Sequence, residues 1–504
     1  MSFLSIAQRE LRVTARRKST FIIRGAAALL ALVIGGFWLL MLALSGPAPR
    51  AAGAWMFTGL SWYALLISLL AGVFLAADSL SEERREGTLG FLFLTYLTGC
   101  DVVLGKFMAV SLNAFYGLLA VFPVFALCLV AGGVTPGEFT RTCLALVNVL
   151  FFSVAAALWV SARSRSFTRA MSGSICLIVT AIVAGGLALA TPLRLLAALS
   201  PCESFRLASE AQYLRQAKEF WTALAVSHLA GWMLLGWAGW HLRSFVDKED
   251  APGVWQRLFA RILPHGRASR RAALLDVNPV LWLLDDSRRM RWVAWVLALA
   301  GAAVLLSTPA KLGPAAAPAA GFLVWPFYFL LKVFFAIQAC RFFSEARRTG
   351  ALELLCCTPL PMRTIIRGQW MALRRVFLWP VIVLLCTHAV VIAAMLSDNS
   401  LQLLMPGAAG AGFFKFTLLW GAVKPVPNSV ADFFALGWFG MWLALTLQRP
   451  AMATGLTILY VLILPTIAFC VPTLAIDAVF IVIGWVKLSE DFRLRHATRG
   501  GPHP

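Results

Sequence analysis

The sequence predicts an all-α polytopic membrane protein of about 12 transmembrane helices, built as two six-helix halves with interfacial helices on one side. Three observations carry that reading. Of 504 residues, 60% are apolar and 13% charged, against roughly 45–50% and about 25% in soluble domains. Mean hydropathy is +0.80. Twelve segments come near the roughly 20 apolar residues that a membrane helix needs. A loop after the second predicted span recurs without a gap 263 residues later. A soluble enzyme, a disordered chain and a secreted disulfide scaffold are excluded at once.

In order, the predicted spans fall at about 21–46, 57–77, 107–130, 142–162, 171–191 and 220–241 in the first half. The second half has 291–308, 319–340, 376–396, 429–447, 451–471 and 473–487. The first run is longer than the roughly 7–15 residues of a signal-peptide core, so it reads as a helix that stays. Segment 401–421 is apolar but rich in Gly, with Pro406 and Lys415, and reads as interfacial or re-entrant. The expected organisation is a first half over 1–245, a cytoplasmic linker over 246–271, a second half over 272–490 and a cytoplasmic tail over 491–504.

The net charge is +21. Alternating the loops across the bilayer puts 33 of the 44 basic residues on the side of the N-terminus and 9 on the other. Basic residues gather on the cytoplasmic side, so both termini are expected there. This asymmetry absorbs the charge, and no nucleic acid is expected as a partner; the lipid bilayer is. The excess of Arg over Lys, with abundant Ala and Leu, points to a GC-rich bacterial genome, and the expected location is a bacterial inner membrane.

Catalytic chemistry is missing from the pattern. The 10 Cys form no CxxC pair and no zinc spacing, so neither a disulfide nor a metal site is expected. A phosphate-cradling loop needs GxxxxGK[ST]; the stretch from Gly99 to Phe107 has the wrong spacing and a Phe after the Lys. No HExxH and no GxSxG occurs. The chain is read as no enzyme, with no cofactor bound directly. Inside the spans, Lys332 is a candidate functional charge. His228 and His388 are expected to be packed and hydrogen-bonded. Asp432 and Asp477 lie near span ends and are expected to be solvated.

The repeat aligns Arg84 with Arg347, Arg85 with Arg348, Gly87 with Gly350, Leu89 with Leu352, Leu92 with Leu355, Thr95 with Thr358, Leu97 with Leu360 and Gly105 with Gly368. Leu89, Leu92, Phe93 and Tyr96 recur at i, i+3, i+4 and i+7, one face of a helix. Leu352, Leu355 and Cys356 follow the same stripe. Glu86 sits near the start, where negative charge is favoured, and Gly99 and Pro359 would end the helices. Each stretch is too short to span, so an amphipathic helix at the interface is expected. The segments Ser5 to Lys18 and Asp276 to Arg291, before each half's first span, are expected to lie along the membrane too.

The run Glu83-Arg84-Arg85-Glu86-Gly87-Thr88-Leu89, then Thr95-x-Leu97 and Val103-Leu104-Gly105-Lys106, resembles ABC-2-type transporter permeases. The run from Arg347 to Leu355, with Thr358-Pro359-Leu360 and Gly368, resembles them as well. The resemblance implies six helices per half and a coupling helix between helices two and three, which docks on a separate ATPase. It implies ATPase contacts at Glu83, Arg84, Arg85, Glu86, Gly87, Thr88, Leu89, Thr95, Leu97 and Lys106. In the second copy they are Arg347, Arg348, Gly350, Leu352, Glu353, Leu355, Thr358 and Pro359. It further implies an exporter, two ABC ATPase subunits that use ATP and Mg, and accessory envelope proteins. The chain departs from the family's usual single six-helix subunit by fusing two halves. A secondary transporter of six-plus-six design and a membrane assembly protein without transport stand as alternatives.

Overall fold

The computed structural model describes residues 3–15, 49–94, 96–164, 166–189, 197–247, 278–283, 288–312, 317–358, 360–397, 423–447, 450–467 and 473–497, with positions 25, 32, 35 and 36. Their secondary structure is helical, and no strand occurs among them. The chain divides into two compact units, Met1–Pro252 and Gly253–Pro504. The predicted span 21–46 apart from those four positions, the linker 246–271 beyond residue 247, and segment 401–421 lie outside the described residues.

The first unit runs α1 (Phe3–Ala15), α2 (Pro49–Ala76), α3 (Ser79–Arg85), α4 (Thr88–Leu92), α5 (Gly99–Leu119), α6 (Phe122–Ala131), α7 (Pro136–Arg163), α8 (Phe167–Leu189), α9 (Pro201–Leu207) and α10 (Glu210–Asp247). Local chemistry sets the starts. The Thr98 hydroxyl accepts from the Asp101 amide, and the Asp101 carboxylate accepts from the Thr98 amide. This reciprocal cap satisfies two donors that a helix start leaves open. Gly99 therefore begins α5, where the sequence reading made it an end. Thr135 caps α7 onto Glu138, with Pro136 in the first turn, where its missing N–H costs nothing. Pro123 similarly sits in the first turn of α6.

Helix α7 is the centre of this unit and packs against α2, α10, α8 and α5. Its inner half is a run of small residues, Ser153 to Ala157, all buried. Small side chains let helix backbones approach without a hydrophobic drive between them. At Gly72 of α2 a Cβ would fall 2.6 Å from the Ser153 carbonyl carbon, so only Gly fits there. Ser153 Oγ also donates to the Leu69 carbonyl at 2.6 Å.

The second unit runs α11 (Pro279–Leu283), α12 (Arg288–Leu312), α13 (Ala317–Arg348), α14 (Ala351–Cys357), α15 (Met362–Ser397), α16 (Pro425–Thr446), α17 (Pro450–Ile458), a π turn (Leu459–Ile463), α18 (Leu464–Ile467) and α19 (Thr473–Ala497). Pro465 has no N–H for the turn before it, and the helix widens into the π turn just ahead of it. Helix α16 packs against α19, α13 and α17.

Eight helical stretches among the described residues are long and apolar enough to cross a membrane: Met56–Arg85, Gly99–Val130, Pro136–Arg163, Phe167–Gly185, Met290–Ser307, Val324–Arg348, Met362–Ala393 and Pro425–Thr446. The protein is an all-α polytopic membrane protein. The expected spans 220–241 and 473–487 are helical, inside α10 and α19, but are not among the eight. The described part of 451–471 is α17, the π turn and α18.

Candidate functional site

In the first unit the repeated loop begins by docking α3 on the end of α7. The Leu80 and Ser81 amides donate to Ser161 Oγ at 3.2 and 3.1 Å. Asp78 holds Arg85 at 2.7 Å and accepts from the Ser81 hydroxyl at 2.6 Å. Arg84 Nη1 donates to the Ala162 carbonyl at 3.4 Å. That carbonyl lies in the last turn of α7, where a cation meets the negative end of the helix dipole.

Glu83 faces inward as well. Its carboxylate lies 2.7 Å from Lys106 Nζ, and Lys106 reaches Glu10 of α1 at 3.1 Å. Arg9 adds contacts to Glu10 at 3.0 Å and to Glu83 at 3.8 Å. Lys106 is buried. Burial works against ionisation of Glu10, but Lys106 and Arg9 outweigh it and hold the carboxyl below the usual carboxylate range. This ionic knot ties the N-terminal helix α1 to both α3 and α5.

Gly87 then turns the chain at φ 71° and ψ 1°. A side chain in that left-handed region costs roughly 1–2 kcal/mol, which is the physical reason for Gly. The helix is shorter than the apolar periodicity predicts: α4 has one turn, and Glu86 caps the end of α3 while preceding the start of α4. Leu89 is buried and Leu97 half-buried, while Thr88 donates to the Glu83 carbonyl at 3.2 Å. Phe91 is 69% exposed, Leu94 is 82% exposed, and Tyr96 is fully exposed. Thr95 lies outside the described residues.

The second unit repeats the turn. Gly350 has φ 72° and ψ 0°, and starts α14 as Gly87 starts α4. Leu352 is buried like Leu89. Arg347 Nη1 donates to the Leu445 carbonyl at 2.6 Å, in the last turn of α16. Arg348, Glu353 and Thr358 are exposed, and Leu355 is half-buried; Thr358 donates to the Leu355 carbonyl at 2.6 Å. Leu354 is 72% exposed, and Cys357 is exposed. A groove of about 390 Å³ lies between the end of α13 and α14, with Arg341, Glu345, Leu354 and Thr358 on its walls. Pro359 lies outside the described residues. Where the first unit has Lys106, the second has Gln369, buried and donating to the Gln338 and Ala339 carbonyls at 3.2 Å. Asn278, before α11, donates to the Thr364 carbonyl at 3.0 Å.

The expected contact set therefore separates into two. Glu83, Arg84, Arg85, Leu89, Lys106, Arg347 and Leu352 turn inward and build the turn. Glu86, Gly87, Thr88, Arg348, Glu353 and Thr358 remain accessible, with Gly350 and Leu355 between the two sets. The exposed apolar residues Phe91, Leu94, Leu354 and Cys357 are missing from the expected set. The repeat held the signal, since Phe91 aligns with Leu354 and Leu94 with Cys357 at the same offset as the glycines.

Residues 5–238 match the family profile described as ABC-2 family transporter protein. The first unit belongs to the ABC-2 transporter family. The first copy of the repeated loop, and α1 from Ser5 onward, lie inside the matched stretch. An ABC-2 unit is the membrane permease part of an ABC transporter, and such a permease implies ATPase partners. Comparison with curated proteins gave no match.

Between α7 and α10 of the ABC-2 unit, Asn148, Ser227 and His228 hydrogen-bond to one another. His228 Nδ1 lies 3.1 Å from Asn148 Oδ1, and Trp232 Nε1 donates to His228 Nε2 at 3.1 Å. Asn148 Nδ2 donates to Ser227 Oγ at 2.7 Å. With the Nδ1–H tautomer every one of these contacts pairs a donor with an acceptor. His388 of the second unit meets the Tyr328 hydroxyl at 3.2 Å. Lys332 pairs with Asp432 at 2.5 Å. Asp432 and Asp477 are both buried, which corrects the expectation of solvated span ends: α13, α16 and α19 close around them.

Proposed function

We propose that the chain is the membrane-spanning permease subunit of an ABC exporter and supplies both six-helix halves itself. Two separate ABC ATPase subunits dock on its cytoplasmic face, one at α4 and one at α14, and hydrolyse ATP with Mg. The chain itself binds no nucleotide and catalyses nothing. It sits in a bacterial inner membrane with both termini in the cytoplasm, and accessory envelope proteins complete the assembly.

One observation carries this reading: the same left-handed glycine turn occurs in both units and presents apolar side chains at the same two positions. Phe91 and Leu354 stand out of the first, Leu94 and Cys357 out of the second. An isolated apolar side chain on a surface is ordinary, but a repeated rigid turn that offers the same pair twice suits two copies of one partner. Half-buried arginines on the α7 and α16 carbonyls hold each turn against a span, so force applied at the turn would pass into that span.

The test is purification of the full chain from native membranes in mild detergent, with mass spectrometry of co-eluting proteins. Two copies of a Walker-motif ATPase per chain are expected. Phe91→Glu combined with Leu354→Glu should remove them while the chain stays inserted. Recovery of the chain without an ATPase, also after crosslinking, would overturn the reading.

A further inference from the structure

The ion pair of Lys332 and Asp432 has a third member. The Asp477 carboxyl meets the Asp432 carboxyl and lies within electrostatic reach of Lys332. Asp477 has no exposed surface. Neither of its oxygens has a conventional hydrogen-bond donor among the described residues. So two carboxyl groups and one ammonium share a buried site, with Asn428 and Thr473 bonded to each other at 2.5 Å one helical turn away. Tyr328 lies on the same helix as Lys332, with the ammonium 5.9 Å from its ring. Phe335 packs on Phe433, next to Asp432 in sequence. On the far side, Tyr460 from the π turn packs on Phe439 and Phe480. Among the described residues, His388 from α15 meets the Tyr328 hydroxyl.

Fully ionised, this triad carries one net negative charge out of water. Uncompensated buried charge is strongly unfavourable, and within a membrane protein such residues pair or serve a pathway. Two carboxyl groups side by side do not both ionise easily; one proton between them removes the repulsion and supplies the missing donor. A metal ion would need a cage of several oxygens. Among the described residues no group of three or more His, Cys, Asp or Glu could hold one.

We propose that Lys332, Asp432 and Asp477 form a proton-binding site in the second unit, in which the two carboxyl groups hold one shared proton at neutral pH. The proton is the donor between Asp477 and Asp432, and Lys332 balances the charge that remains. The site joins α13, α16 and α19, so a movement that parts these helices exchanges the proton with water. The proposal stands on the triad alone and not on the ATPase reading.

Infrared spectroscopy of the full chain in lipid nanodiscs tests it through the carbonyl stretch of a neutral carboxylic acid. At neutral pH the unmodified protein should show such a band. Asp477→Asn should lose it, and so should Asp432→Asn, because each leaves one carboxylate facing one ammonium. Lys332→Met should double it, because both carboxyls then need a proton; this variant also serves if an Asn variant does not fold. Absence of the band in the unmodified protein at neutral pH would overturn the proposal. A band that survives in Asp432→Asn would show an acid neutral through burial alone, against sharing. A band lost when choline is exchanged for sodium would make the ligand a metal ion.

Discussion

In the first unit the repeated turn is tied to the N-terminal helix α1 by ions, through Glu10, Lys106 and Glu83. In the second, the same place is held by amides, Asn278 on the Thr364 carbonyl and Gln369 on two carbonyls. Within the bundle the assignment reverses. At mid-helix the first unit joins α7 to α10 through hydrogen bonds among Asn148, Ser227 and His228, with the Arg141 and Glu210 ion pair nearer the helix starts. The second joins α16 to α13 through Lys332 and Asp432, with Asp477 of α19 beside them. Asn148 and Asp432 lie at similar depth, each roughly four helical turns before the carbonyl that its unit's arginine holds. The two units therefore share geometry and not charge. The left-handed glycine, the buried Leu after it and the arginine on a helix-end carbonyl occur in both. What surrounds them is free to be ionic or neutral.

That comparison can be broken most sharply at Lys106. Lys106→Met leaves Glu10 and Glu83 with only the exposed Arg9 as a cation, and removal of one partner from a buried ion set costs about 3–5 kcal/mol. Faster hydrogen exchange over α1 and α3, with the second unit unchanged, is the expected readout. Gln369→Leu should cost less, about 1–2 kcal/mol, since it removes two hydrogen bonds from carbonyls that remain in place. An effect at Gln369 as large as at Lys106 would mean that the ionic knot adds nothing.

The arginines come next. Arg347→Ala and Arg84→Ala each remove a cation from a helix C-terminus, worth up to about 2 kcal/mol when partly buried. The larger loss is expected at Arg347, whose contact is 2.6 Å against 3.4 Å. Thermal unfolding of the two variants in detergent checks the order. Gly87→Ala and Gly350→Ala should each cost about 1 kcal/mol or somewhat more through the left-handed backbone, and by equal amounts, because both angles are the same within a degree. Unequal losses would separate the two turns.

The smallest effect is one of pH. Glu10 ionises more readily in the fold than its ordinary value of 4.5 allows. Its contribution is therefore complete above that value and is lost as pH falls through the lowered one. Limited proteolysis at α1 should accelerate in that acidic window.

Much of this was legible in the sequence. Apolar runs long enough to span declare themselves by length alone, and a gapless repeat needs no structure to be seen. The turn's interior was not legible. Periodicity cannot tell that Gly87 adopts a positive φ, so the apolar stripe from Leu89 to Tyr96 reads as one helix when it is a single turn with exposed residues after it. Charge in a loop reads as surface, and nothing local shows that Arg84 and Arg347 find carbonyls about 80 to 100 residues away in sequence. Asp432 and Asp477 mislead for the opposite reason: nearness to a span end suggests water, and only the packing of α13, α16 and α19 buries them.

The central claim is that two matched turns receive two copies of one ATPase. A photocrosslinking amino acid placed in turn at positions 91 and 354, with the inward-facing positions 89 and 352 as controls, tests it in intact cells. Crosslinks from 91 and from 354 to the same Walker-motif protein, with none from 89 or 352, are expected. A correctly inserted chain that crosslinks to no ATPase from either exposed position, or from only one of them, would contradict the account.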